Sequence, residues 1–154
     1  MQGYEEKLKN YLQENNIHAE HLVFSESCHS VKDAAKAVDA SPEDYVKNIC
    51  FVDLTNSLIV AIVKGEDKVD ANKIASVLKI PKPKIATPEE ILEKTGYPCG
   101  GTPSFGYDAV FLVDTRVMEK ERVYTGGGSI TSLIKISVNE MLRANKGMVG
   151  DIRK

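Results

Sequence analysis

Cysteine is scarce in this sequence: three occur in 154 residues, at Cys28, Cys50 and Cys99. Their odd number and wide separation exclude a disulfide framework and leave no CxxC pair for metal or redox chemistry, so reduced thiols are expected. An excess of either charge is also missing, the formal net charge being -2. Such a chain has no global field for wrapping a long nucleic acid, although a local lysine cluster could still hold a few phosphates; contact with DNA is not expected. No apolar run approaches the ~18 residues that cross a bilayer, and the N-terminal MQGYEEKLKNYLQENN is polar and amphipathic, unlike a signal peptide. A cytoplasmic protein with no membrane contact is the expectation.

Phosphate-binding signatures are missing as well. No GxxxxGK[ST] occurs, GGGSITS lacks the lysine of such a loop, and GGTPSFG follows the end of a helix where GxGxxG would follow a strand. His18 and His21 form HxxH with no third ligand at a recognised spacing, so no metal or other cofactor is expected. Cys28 and His29 are adjacent, and neighbours on an extended segment point to opposite faces, which places them poorly for one proton transfer. No Ser-His-Asp set can be assembled.

What is present fits one domain over residues 1–154, 42% hydrophobic and 27% charged. Apolar spacing predicts a helix over about 3–15, a strand from His21 to Phe24, and a helix through Val31, Ala34, Ala35 and Val38 capped by Ser30. Ser41-Pro42-Glu43-Asp44 starts a further turn. VKNICFVD and SLIVAIVKG read as an antiparallel hairpin. Asp70 caps a helix stopped at Ile80-Pro81, and Thr87-Pro88-Glu89-Glu90 is a capping box for a helix closed by Gly96. Strands follow at 109–114, 122–125 and 133–137, and a helix at 138–143 ends the expected order. This order lacks a regular βαβ alternation, so an α/β protein of the α+β type with a mixed sheet, curled or closed, is expected.

Two glycine-rich stretches and one lysine carry the candidate chemistry. Gly126 to Gly128 can be explained as a tight turn. Gly100-Gly101, stiffened by Pro98 and Pro103, suits a loop that holds main-chain groups beside a ligand, as an oxyanion site needs. Cys99 beside them is the thiol to test, and Cys50, within an apolar strand, reads as a small core residue. Lys47 is the only charged side chain between Val46 and Val52. It reads either as a solvated strand-edge lysine or as a cation fixing a phosphate or carbonyl oxygen.

VKNICF, IVKGEDKVD, ATPEEILEKTG, GGTPSFG, FLVD and VYTGGGS occur in that order, and together they resemble the YbaK/ProX family of aminoacyl-tRNA editing domains, also found inserted in bacterial prolyl-tRNA synthetases. The resemblance runs from about Phe24 to Leu142. It implies a curled mixed sheet, nearly a barrel, flanked by helices, and a trans-editing deacylase acting on mischarged tRNA. Proline tRNA carrying a small wrong amino acid such as cysteine or alanine would be its substrate, and prolyl-tRNA synthetase a partner. Lys47 matches the family's essential lysine, which sits by the tRNA 3′ end and the aminoacyl group, and Gly100 and Gly101 match the loop whose backbone lines the acyl pocket; these three are the expected catalytic residues. Asn48 matches a lysine-asparagine pair of one branch, and Gly128 and Ser129 match the glycine-rich loop opposite. Phe24, His29, Cys99 and Thr102 are the remaining expected substrate contacts. Three positions depart from relatives: Phe24 replaces a tyrosine, Ile134 lies near where some carry an acid, and His29-Ser30 replaces His-Thr. A non-catalytic module that binds tRNA ends or a synthetase is the alternative, and a metal hydrolase a more distant one.

Overall fold

A computed structural model describes residues 3–24 and 41–154. The capping helix at Ser30 and the site residue His29 lie outside these residues, as do Cys28 and the stretch around them. Helix α1 (Tyr4–Glu14) and strand β1 (Ala19–Val23) open the fold, the strand starting two residues before its expected position. A 3-10 turn at Pro42–Asp44 leads into β2 (Val46–Val52), which pairs antiparallel with β3 (Leu58–Lys64), Asn48 opposite Ile62 and Cys50 opposite Val60. Helix α2 (Ala71–Leu78) is capped by Asp70, whose side chain accepts from the Asn72 amide. After β4 (Lys84–Ile85), α3 (Pro88–Thr95) begins with the full capping box of Thr87 and Glu90 and ends at Gly96 with φ +80°. Strands β5 (Val110–Asp114), β6 (Arg122–Gly126) and β7 (Ser132–Ser137) precede α4 (Val138–Asn145) and β8 (Met148–Gly150).

The architecture is mixed α and β, and the described strands close no barrel. They form two sheets, one ordered β1-β7-β6 and one ordered β4-β2-β3-β5-β8, with β3-β5 and β5-β8 parallel. The sheets meet where Tyr45 bridges Tyr124, their rings stacked 4.9 Å apart. Nor does the helix at 138–145 end the order. Beyond it, Ile152 is fully buried and the carboxylate of buried Asp114 accepts from the Ile152 amide at 3.1 Å and from Arg153 at 2.9 Å.

Alternation along the strands divides the core in two. Val46, Cys50, Val60, Ile62 and Val113 face one side, where they pack with Leu8 and Leu12 of α1, Ile91 of α3 and Ile134 and Ile136 of β7. Phe51, Ile59, Ala61, Val63 and Leu112 face the other, covered by Ile74 and Ile152. Strand β3 is buried along its whole length, as a central strand covered on both faces must be. Each fully buried aliphatic side chain contributes about 1.5–3 kcal/mol of transfer free energy. Because β2 obeys the same alternation, Asn48 stands on the first face and Lys47 on the second.

Candidate functional site

The two glycine-rich loops pack on one another. The Gly101 amide donates to the Pro98 carbonyl at 3.0 Å, and the Gly128 amide donates to the Gly101 carbonyl at 2.7 Å. A Cβ on Gly101 would stand 2.6 Å from the Ser129 nitrogen, and one on Gly126 would stand 2.7 Å from the Thr102 carbonyl carbon. These two glycines therefore serve a close main-chain approach between loops. Gly101 is buried with its amide and carbonyl occupied. Gly100 differs: it is exposed, with φ +93°, and among the described residues no acceptor takes its amide.

Asn48 holds this arrangement from below. Its Nδ2 donates to the Thr102 carbonyl and to Thr125 Oγ1, both at 2.9 Å, and its Oδ1 accepts from Ser104 Oγ at 2.7 Å. Ser104 and Thr125, both almost fully buried, also lie 2.7 Å apart. Buried polar groups need partners, and here one amide joins β2, β6 and the 97–106 loop. Thr102 is turned inward as well, Oγ1 donating to the Pro98 carbonyl at 3.1 Å. Ser129 Oγ donates to Glu5 at 2.6 Å, which ties its loop to α1. The expected substrate contacts Asn48, Thr102 and Ser129 thus have internal partners. Gly128, with φ +101° and the Tyr4 carbonyl close by, belongs to the same packing.

Phe24, half-buried at the end of β1, donates its amide to the Thr131 carbonyl at 2.7 Å, which places it beside the Ser129 loop. Cys99 is exposed and free. Cys50 is buried, and burial, followed by the influence of Cys99, pushes its thiol up to about 12. His21, weighed above only as a metal ligand, bonds the Gly127 carbonyl at 2.8 Å through Nε2. Among the described residues no three His, Cys, Asp or Glu side chains gather closely enough to hold a metal ion, and no helix is long and apolar enough to cross a membrane.

Lys47 lies on the other side of β2. It borders a cleft of about 390 Å³ with Ile49, Phe51, Lys68, Asp70 and Ile85, and among the described residues no member of the 97–106 loop borders that cleft. Partial burial holds its ammonium below the usual lysine range, Asp67 opposing the shift and Lys68 adding to it. The structure therefore unites Asn48, Thr102, Ser129 and the glycines in one assembly, with Lys47 adjacent in sequence but facing away. Ser104, Thr125 and Glu5 were not anticipated as members. A signal for Thr125 existed: it shares the inward phase of Val123 in β6, and an inward polar residue requires a partner.

The aminoacyl-tRNA editing domain family matches residues 25–144. YwhH, an uncharacterised protein of Bacillus subtilis, is 27% identical over 120 residues, covering 77% of this chain and 76% of that protein. A proline–tRNA ligase of Thermotoga neapolitana is 24% identical over 98 residues, which are 64% of this chain and 17% of the ligase. Among solved structures, a proposed trans-editing enzyme for prolyl tRNA synthetase superposes with a TM-score of 0.91 at 25% identity, covering 100% of this chain and 99% of that one. The hypothetical protein APE2540 superposes with a TM-score of 0.88 at 24% identity over 96% of this chain and 99% of its own.

Proposed function

The chain belongs to the aminoacyl-tRNA editing domain family, and we propose that it is a deacylase acting in trans on a mischarged tRNA. Proline tRNA bearing a small wrong amino acid such as alanine or cysteine is the substrate class. The observation that carries this reading is that a single family match spans Lys47 and both glycine loops. Likeness over almost the whole length of a proposed trans-editing enzyme supports it. The need follows from binding limits: a synthetase pocket rejects a side chain smaller by one methylene only ~10–200-fold, so a second site that destroys the errors is useful.

An aminoacyl ester is an activated acyl group, and its cleavage needs one oriented water and one stabilised oxyanion. Water adds to the carbonyl carbon, the bond to the ribose oxygen breaks, and that oxygen leaves with a proton as the free hydroxyl. Gly100 offers an exposed amide on a loop held at its base by Asn48, suited to the oxyanion; one such donor is worth on the order of 10²–10³ in rate. Lys47 supplies the cation for the terminal phosphate. Because it faces the opposite side of β2 from Asn48, the acceptor end would pass over the start of that strand, with phosphate on one side and acyl group on the other.

A binding module without catalysis is the second reading, favoured by the inward engagement of Asn48, Thr102 and Ser129. Purified protein tested on tRNAs mischarged with alanine, cysteine, serine and threonine separates the two. Hydrolysis of at least one is expected; tight binding of all with turnover of none would leave only the module.

A further inference from the structure

Four lysines, Lys47, Lys68, Lys82 and Lys154, border the cleft on the outer face of β2. The one acidic side chain among its lining residues, Asp70, is committed to capping α2 through the Asn72 amide at 2.9 Å. Among the described residues none of the four lysines forms an ion pair, whereas Lys64, Lys73 and Lys120 each have a carboxylate partner. Even with Asp67 acting on Lys47 and the Asp70 carboxylate in the lining, four lysines around one cleft create a local positive field, here on a chain whose net charge is -2. The backbone fixes this field in place. Val69 bridges Arg153, and the Lys154 amide donates to the Lys68 carbonyl at 2.9 Å.

Between the cations the floor is apolar, made of Ile49, Phe51 and Ile85, and Ile85 is 69% exposed on the edge strand β4. Lysines are compact point charges suited to phosphates, and an open apolar surface beside them suits the face of a base or a ribose. A purely acidic peptide would use the first feature and waste the second. At about 390 Å³ the cleft has room for a nucleotide-sized group.

We propose that this cleft is a docking surface for the phosphodiester backbone of single-stranded RNA, with Lys68, Lys82 and Lys154 extending from Lys47 as a track for the strand. That the strand is the acceptor end of a tRNA rests on the deacylase reading above; the recognition of RNA phosphates does not.

The test is the salt dependence of binding for an unacylated RNA hairpin ending in a single-stranded CCA tail, measured from 50 to 200 mM salt as in ordinary counterion titrations. Each phosphate contact on a single strand contributes about −0.7 to the slope of log K against log salt. Lys68→Ala and Lys82→Ala should each make the slope shallower by about 0.7, the double variant by about 1.4, and Lys68→Arg should restore the parent value. Lys9→Ala, an exposed lysine of α1 outside the cleft, should change nothing. Parent slopes in folded Lys68→Ala and Lys82→Ala would overturn the proposal, as would displacement of the RNA by poly-glutamate at equal charge, which would assign the cleft to an acidic protein surface. On a mischarged tRNA the same variants should raise KM and leave kcat unchanged. Shallower slopes in a protein that hydrolyses no mischarged tRNA would sustain the cleft and remove the deacylase; hydrolysis with unaltered slopes would do the reverse.

Discussion

Replacing Asn48 by alanine should destabilise the protein and disable the loop above it together. The side chain makes three hydrogen bonds, two donated by Nδ2 at 2.9 Å and one accepted by Oδ1 at 2.7 Å. Ser104 and Thr125 keep each other at 2.7 Å after the substitution, so the main loss falls on the Thr102 carbonyl. A buried acceptor deprived of its donor costs about 1–3 kcal/mol, and the remaining bonds add roughly 1 kcal/mol. The expected destabilisation is about 2–4 kcal/mol. For a domain of this size that is a fall in Tm of roughly 5–15 °C. Asn48→Asp should be no better, because it sets a carboxylate oxygen against the Thr102 carbonyl. Urea unfolding followed by circular dichroism measures the stability, and single-turnover deacylation measures the loop, where a misplacement of ~1 Å can cost on the order of 10² in rate. An Asn48→Ala protein that melts within ~2 °C of the parent while only KM rises, the pattern of a direct substrate contact, would rule out this bracing role.

Gly126→Ala should lower stability by roughly 1–3 kcal/mol or more, because the new Cβ meets main-chain atoms of Thr102 and Gly101 that cannot turn away, whereas Gly3→Ala, with nothing within 4 Å, should melt within a few degrees of the parent. Peptide mapping after iodoacetamide treatment at pH 8 should find Cys99 alkylated and Cys50 untouched until urea is added, since burial pushes the Cys50 thiol up to about 12. Any activity or RNA affinity that needs the Lys47 ammonium should fall as pH rises through a value below the ordinary 10.5, and Lys47→Arg should move that limb upward. Between the lowered value and 10.5 the unfolded chain binds this proton more fully than the native one, so Lys47 itself makes stability rise with pH across that window.

Local chemistry was legible wherever it acts within a few residues. The Asp70 cap, the Thr87 capping box, the left-handed Gly96 and the β2-β3 hairpin all stand where hydrogen-bonding and apolar patterns put them. Partner choice at long range was not legible. Three-residue β8 has no period to read, and its place beside β5 is accompanied by the bonds of Asp114 to Ile152 and Arg153 farther along the chain. The division into two sheets likewise depends on which strands meet, which local propensity does not encode. In the site, glycine announced a close approach without saying to what: Gly101 and Gly126 meet another loop, and Gly100 alone of the first pair is exposed. Lys47 and Asn48 were legible as neighbours of interest, and strand alternation separates them into a cation on one face and a brace on the other.

The mechanism asks a main-chain amide at Gly100 to stabilise the oxyanion of a mischarged aminoacyl ester while Lys47, on the other face of β2, holds the terminal phosphate. Its most direct test is single-turnover deacylation of alanyl and cysteinyl proline tRNA by the parent and by Lys47→Ala, with both proteins shown to be folded by thermal melting. Hydrolysis of at least one substrate by the parent is expected, with a loss of about 10² in rate for the variant, because the ester is misplaced once the terminal phosphate loses its cation. Equal rates for the two folded proteins would contradict it.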